Sequence, residues 1–552
     1  MITQDRTKWT LPQVLQHQAK TAPLRPFVHV IDEGSANRAE AYEAARRIAG
    51  ALRDMGLMVG EAVAVMSPTC MRAVFAWLGI NVAGAVEVNV NGAYKGQTLE
   101  HALNTVAAET IFIEHRHLAD LAAIETNLSY LRRAITFRLA DTPPGPPPSF
   151  ARIDLIDYDD IRGHTPIDEP IAVARSDIAS MIYTSGTSGP AKAVRMPHGQ
   201  IYFLALRTIE NLRIGPSDVF YCFHPLFHMA GKFMGILAML MAGGSIVLDR
   251  SFKPDMWVSR IREHGATVSL AHGPMLEMIY SQPPRPDDAD HSLRRMIMVP
   301  FPRAIAESFE KRFGVRGIEC WGMTEINAVT WCSLNEPLRL GSCGRVDEDW
   351  YEFRVVDPET DEQLPPGRIG EFVVRPKTPW TIMQGYHGMP QKTVEAWRNL
   401  WFHTGDSGYI DQDHYVYFVD RLGDRIRRRA ENISSYDIEA AAMAHAAIAE
   451  CAAIGVASEY EADDDIMLCL VCKPDRAVTP LEMLEHLMPR LPHYMMPRYI
   501  AMLDTLPRTP TNKIQKAKLR AMPRSAAVWD RKAAGISLRD LMAQRASNHT
   551  TA

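Results

Sequence analysis

YTSGTSGPAK, Tyr183 to Lys192, packs glycines and hydroxyl residues behind an apolar run and ends on a lysine. The preceding ASMIY reads as a strand. A glycine-rich turn leaving a strand lets backbone N–H groups converge into a concavity, and hydroxyls with an ammonium complete a phosphate cradle. It is not the GxxxxGK[ST] loop, because Ala191 stands five residues after Gly186 where that pattern requires glycine. Taken alone, the same composition fits a plain linker, so the rest of the chain has to decide.

The chain is 552 residues long, more than one hydrophobic core usually supports, so at least two domains are expected. A formal net charge of −5 with 23% charged residues supplies no overall field for gathering nucleic acid, which argues against DNA or RNA as a partner. MITQDRTKWT lacks the apolar core of an export signal, so a cytoplasmic location is expected. The apolar run Phe233 to Leu248 is broken by Gly243 and Gly244 and falls short of the roughly 20 residues of a membrane span. It reads as a buried helix, a glycine turn and a core strand. The CxxC pair Cys469 and Cys472 lies in IMLCLVC, a strand pattern that points the two thiols to opposite faces, which favours a core role over a metal or redox site.

Apolar β-rich runs alternate with helical patterns: AVAVM before MRAVFAWLGINVAG, ETIFI before LADLAAIE, SIVL before MWVSRIREHG. Alternation of this kind predicts an α/β architecture with largely parallel sheets covered by helices. DTPPGPPPS, Asp141 to Ser149, reads as a surface loop. After about residue 405 the texture changes to short strands and turns. A smaller second domain is expected from about Arg421, with SSYDIEAAAMAHAAI as a helix whose leading serine is placed to cap it.

Five segments in order now give the opening stretch a context. YTSGTSGPAK at 183–192, PLFHMAGK at 225–232, WGMTE at 321–325, WFHTGDSGYID at 401–411 running into DRLGDRIRRRAENISSYDIE at 420–439, and RTPTNKIQK at 508–516 together resemble the adenylate-forming superfamily. That superfamily holds acyl-CoA synthetases, peptide-synthetase adenylation domains and beetle luciferases. The resemblance implies a large N-terminal domain of packed α/β subdomains, residues 1–420, and a small mobile α+β domain, residues 421–552, with ATP bound between them. It also implies two half-reactions: a carboxylate attacks the α-phosphate of ATP to give an acyl-adenylate and pyrophosphate, and a thiol, commonly that of CoA, then displaces AMP. Phosphoryl chemistry of this kind asks for positioning and charge stabilisation.

By the same resemblance, Thr184, Ser185, Gly186, Thr187 and Ser188 would wrap the β- and γ-phosphates, with Lys192 as a nearby cation. Thr324 would contact the α-phosphate and Glu325 would hold Mg²⁺, a hard cation suited to carboxylate oxygens. Trp321 stands where the family more often has tyrosine stacked on adenine; its flat face would keep the stacking and the hydroxyl contact would be lost. Asp406 would accept hydrogen bonds from both ribose hydroxyls and Arg421 would join it. Lys513 would bridge carboxylate and α-phosphate as charge develops. His228 would stand where the acyl pocket meets the nucleotide.

The chain also departs from the family pattern. Gly423 occupies the hinge position, which is usually Lys or Asp, and Ala430 replaces a glycine on the loop lining the tunnel for the CoA arm. Val299, Pro300 and Phe301 stand where a Gly-Gly-Ala-like turn is common, which makes Phe301 a candidate wall of the acyl pocket, and Asn512 replaces the glycine of TGK. Arg427 to Arg429 are candidate grips for CoA phosphates. AENISSYDIE with TPTNKIQKAKLR is most similar to the subgroup of carnitine and crotonobetaine ligases. Lys232, close behind His228, would repel a trimethylammonium group and suit a second carboxylate or hydroxyl. The expectation is a carboxylate-CoA ligase using ATP, Mg²⁺, CoA and a small carboxylic acid. Adenylation for a carrier protein in trans, a luciferase-like oxidase and an inactive nucleotide-binding homologue are the alternatives.

Overall fold

The computed structural model describes residues 3–184, 191–422, 426–428, 431–433, 435–458, 464–491, 495–508, 514–522 and 528–538. The strand–helix alternation of the first 320 or so residues resolves into two seven-stranded sheets. One runs, edge to edge, Arg316–Ile318, Arg295–Val299, Val268–His272, Val219–Cys222, Ser245–Leu248, Pro26–Val30 and Gly34–Asn37. The other runs Asp154–Asp157, Arg133–Phe137, Thr110–Glu114, Ala62–Met66, Val86–Asn89, Ile178–Thr184 and Lys192–Pro197. In each sheet all neighbours are parallel except the last pair, which is antiparallel.

Parallel strands need cover on both faces, which is why AVAVM is apolar throughout and buried from Val63 to Met66. The cover comes from helices Arg38–Asp54 and Met71–Val82, whose side chains share one core with Val28, Phe220 and Ile246 of one sheet and Val63, Val65 and Phe112 of the other. The longer helix starts on a reciprocal cap: Asn37 Oδ1 accepts from Glu40 N at 2.9 Å, and Asn37 N donates to Glu40 Oε2 at 2.8 Å.

The apolar run after residue 230 is a buried helix, Ala230–Leu237 in π-helical form and Ala238–Ala242 in α-helical form, then the glycine turn and the strand Ser245–Leu248. Among the described residues no helix is long and apolar enough to cross a membrane. Lys232 sits on this helix, and its position overturns the expectation of a cation facing the acyl pocket. It is 1% exposed, its Nζ donates to Glu87 Oε1 at 2.5 Å, and it lies 5.3 Å from the Trp77 ring centroid. Glu87, on the strand Val86–Asn89 of the other sheet, is fully buried and also accepts from Ser180 Oγ at 2.6 Å and from Asn89 Nδ2. The ammonium is therefore neutralised inside the protein. Phe301 is buried as well: 3% exposed, it meets Phe309 edge-on at 6.2 Å.

Beyond the two sheets come the three-stranded sheet Cys320–Met323, Asn327–Trp331, Arg345–Val346 and the antiparallel four-stranded sheet Tyr351–Val356, Gly370–Pro376, Phe402–Ile410, Val416–Arg421. The smaller C-terminal domain has a four-stranded sheet ordered Ile448–Ala457, Asp464–Cys472, Tyr499–Met502, Val528–Asp530, with helices Ser435–Met443, Pro480–Leu487 and Lys516–Arg520. Cys469 joins the core on one face of this sheet and Cys472 packs against the core on the other, as the strand period requires. The helix beginning at Ser435 is capped from outside: Ser435 N donates to Asp420 Oδ2 at 3.1 Å, and its hydroxyl donates to the same oxygen.

Removing one member of a buried ion pair leaves an uncompensated charge, a loss of about 3–5 kcal/mol. Lys232→Ala should therefore lower the denaturation midpoint of the N-terminal domain, and replacing Lys232 and Glu87 together by Met and Leu should recover most of the loss. Denaturant unfolding of the three variants checks this.

Candidate active site

The strands Ile178–Thr184 and Lys192–Pro197 form a hairpin whose last paired residues are Thr184 and Lys192. The opening motif thus begins and ends on paired strands of one sheet. Thr184 and Lys192 are described; Ser185, Gly186, Thr187 and Ser188 lie outside the described residues, as do Gly423, Arg429, Ala430, Asn512, Lys513 and the side chains of Arg427 and Arg428.

Lys192 is half-buried, and its Nζ lies 4.2 Å from the ring centroid of Tyr386. Burial pulls the Lys192 ammonium below its ordinary range, with Glu325 opposing that shift. Tyr386 in turn donates its hydroxyl to Glu325 Oε1 at 2.9 Å. Segment 384–387 is laid beside the strand of Lys192 by backbone bonds from Gln384 N to Arg195 O, Arg195 N to Gly385 O and His387 N to Ala193 O. Met383 N bonds to Glu325 O. One tyrosine therefore joins the lysine that closes the loop to the carboxylate of WGMTE. Nothing in GYHG, 385–388, signals this role in sequence, because the contact spans 61 positions. Thr324 stands beside Glu325, its carbonyl accepting from Gln200 Nε2 at 2.8 Å.

Asp406 and Arg421 are direct partners across two antiparallel strands, and Arg421 Nε lies 2.7 Å from Asp406 Oδ1. Trp321 lies against the same carboxylate. It is 6% exposed, stands edge-on to Phe372 at 5.0 Å and Phe353 at 5.9 Å, and donates its indole N–H to Asp406 Oδ2 at 2.9 Å. A buried indole N–H needs an acceptor, and this carboxylate supplies it.

His228 belongs to a group of three imidazoles at the carboxyl ends of parallel strands, the rim where open α/β sheets present their crevice. His272 ends the strand Val268–His272 and lies edge-on to both His228, at 5.7 Å, and His224, at 4.8 Å. His224 is buried, neither of its ring nitrogens has a hydrogen-bond partner among the described residues, and it is held neutral: burial first, then the neighbouring imidazoles, push it well below 6.5. Among the described residues no group of three or more His, Cys, Asp or Glu is placed to hold a metal by itself.

Glu319, two residues before Trp321, is buried, and that burial pushes its carboxyl up to about 8, against smaller opposing effects from the Phe301 backbone N–H and Arg303. Unfolded, the group titrates near 4.5. Between those two values the folded chain holds a proton that the unfolded chain has lost, so this group's contribution to stability falls as pH rises from about 4.5 to about 8. Glu319→Gln removes that dependence. The variant's melting temperature should match the wild type near pH 5 and exceed it increasingly towards pH 8, as thermal unfolding across that range would show.

Residues 15–387 match the AMP-binding enzyme family, and residues 437–513 match the AMP-binding enzyme C-terminal domain. A crotonobetaine/carnitine–CoA ligase of Salmonella paratyphi A is 26% identical over 493 residues, covering 87% of this chain and 92% of the relative. A feruloyl-CoA synthase of Amycolatopsis sp is 28% identical over 489 residues, covering 87% and 93%. Among solved structures, ATP-bound MatB from Rhodopseudomonas palustris superposes with a TM-score of 0.81 at 24% identity, covering 93% of this chain and 98% of that one. The anthranilate CoA ligase AuaEII with anthranoyl-AMP gives 0.83 at 23%, covering 93% and 97%. These two establish the shared fold. With most of its length matched, the chain belongs to the AMP-binding enzyme family, the adenylate-forming superfamily that its five motifs resemble.

Proposed function

We propose that the protein is an AMP-forming carboxylate–CoA ligase, and the observation that carries this is the convergence of Lys192 and Glu325 on Tyr386. A ligase needs a cation and an anion held together at the phosphate end of the nucleotide, and the sharing of Tyr386 by Lys192 and Glu325 supports that reading. Asp406 with Arg421 would take the ribose. Thr324 and Lys513 would face the α-phosphate, with His228 at the acyl end.

Glu325 would hold Mg²⁺. A single buried carboxylate fits a hard cation that draws its other ligands from phosphate oxygens and water, and the bound ion would neutralise phosphate charge. In the first half-reaction a carboxylate oxygen of the acid bonds to the α-phosphorus and the bond from that phosphorus to the pyrophosphate oxygen breaks. Lys513 would stabilise the charge that develops between acid and phosphate. In the second, the CoA thiolate bonds to the acyl carbon and AMP leaves with the electrons of the broken acyl–oxygen bond. The eight unpaired cysteines support a reducing, cytoplasmic setting.

With Lys232 neutralised by Glu87, charge at that position no longer argues against a trimethylammonium acid or in favour of a diacid. Pyrophosphate and AMP release, measured over a panel of carboxylic acids with and without CoA, test the reading. CoA should accelerate AMP release, and Lys513→Ala should cut pyrophosphate release by on the order of 10²-fold. AMP release indifferent to CoA would favour a carrier protein as acceptor, and normal pyrophosphate release by the Lys513 variant would remove that residue from the mechanism.

A further inference from the structure

Asp406 is the most constrained carboxylate of the site. Trp321 Nε1–H donates to Oδ2, which fixes that side of the group, and Arg421 Nε lies 2.7 Å from Oδ1 as an ion pair. The tryptophan is itself locked: its backbone N–H donates to Thr330 Oγ1 at 3.1 Å, and Phe372 and Phe353 meet its ring edge-on. Asp406 sits on the strand Phe402–Ile410, its own N–H donating to Thr404 Oγ1 at 3.0 Å. Arg421 is 42% exposed at its side chain, whereas the indole is almost wholly buried. Of the two groups on Asp406, the indole is therefore the buried one.

We propose that Trp321 is a positioning residue for nucleotide selection, its indole N–H holding the Asp406 carboxylate so that both oxygens meet the 2′- and 3′-hydroxyls of a ribonucleoside triphosphate. The proposal rests on Asp406 as the ribose contact, given above. Each carboxylate oxygen can accept more than one hydrogen bond, so the indole on Oδ2 still leaves capacity on both oxygens. A cis-diol offers two donors side by side, and one carboxylate accepts both only when its plane is aligned with them. Rotation about Cβ–Cγ forfeits one of the two. A nucleotide lacking the 2′-hydroxyl makes a single bond whichever way the group is turned.

Steady-state kinetics with ATP and 2′-deoxy-ATP, run on the full-length enzyme, test this. Trp321→Phe keeps a flat ring and loses the donor. Trp321→His restores a ring N–H the same number of bonds from the backbone. A hydrogen bond to a charged group gives the expected scale: Trp321→Phe should raise the KM for ATP about tenfold and that for 2′-deoxy-ATP less than about twofold, with kcat little changed. The preference for ATP shrinks accordingly, and Trp321→His should regain most of it. Should Trp321→Phe fail to fold, Trp321→Tyr, whose donor is at the far end of the ring, takes its place. Equal losses for both nucleotides, or a histidine variant no better than the phenylalanine one, would overturn the proposal. A wild-type enzyme that does not prefer ATP to 2′-deoxy-ATP would instead refute the ribose role of Asp406.

Discussion

The buried pair between Lys232 and Glu87 joins the helix Ala230–Leu237 to the strand Val86–Asn89 of the second large sheet. Glu87 lies on a strand next to Ile178–Thr184, the strand that delivers the phosphate-loop motif, and Ser180 of that strand bonds to the same carboxylate. Lys232 lies one helical turn beyond His228. Two charges taken out of water attract strongly only in good geometry, so they tolerate little relative movement. The pair thus ties the strand that ends at Thr184 to the helix that follows His228.

The rest of the site is built from contacts between distant segments, each using one side chain to hold another. Tyr386 holds Lys192 with its ring and Glu325 with its hydroxyl. Trp321 and Arg421 hold Asp406 between them. His272 stands between His228 and His224. Such groups present charge in a fixed orientation before any ligand arrives, which is what phosphoryl and acyl transfer require when the barrier is lowered mainly by electrostatics.

Much of this is legible in the chain itself. The parallel sheets follow from apolar runs alternating with helical periods, the glycine turn from Gly243 and Gly244, and the opposite facing of Cys469 and Cys472 from the strand period. The motif residues were visible by resemblance, because each is written in a short local pattern. What was not legible depends on partners far away in sequence. The sign of Lys232 could be read, but not that Glu87, 145 positions earlier, neutralises it. Trp321 could be read as a flat ring, but its orientation is set by Phe353, Phe372 and Asp406, which come together only when the four-stranded antiparallel sheet forms. Phe301 follows the same logic, drawn into the core by Phe309. Tyr386 and Glu319 carry no local pattern at all; burial and a long-range partner define them.

Acid-dependent exchange of labelled pyrophosphate into ATP, measured without CoA, tests the central claim most directly. An adenylate-forming site makes the first half-reaction reversible, so label should enter ATP only when a carboxylic acid substrate is present, and adding CoA should drain the adenylate as AMP. Absence of exchange with every acid across a broad panel, or turnover that yields ADP and phosphate instead of AMP and pyrophosphate, would contradict the account.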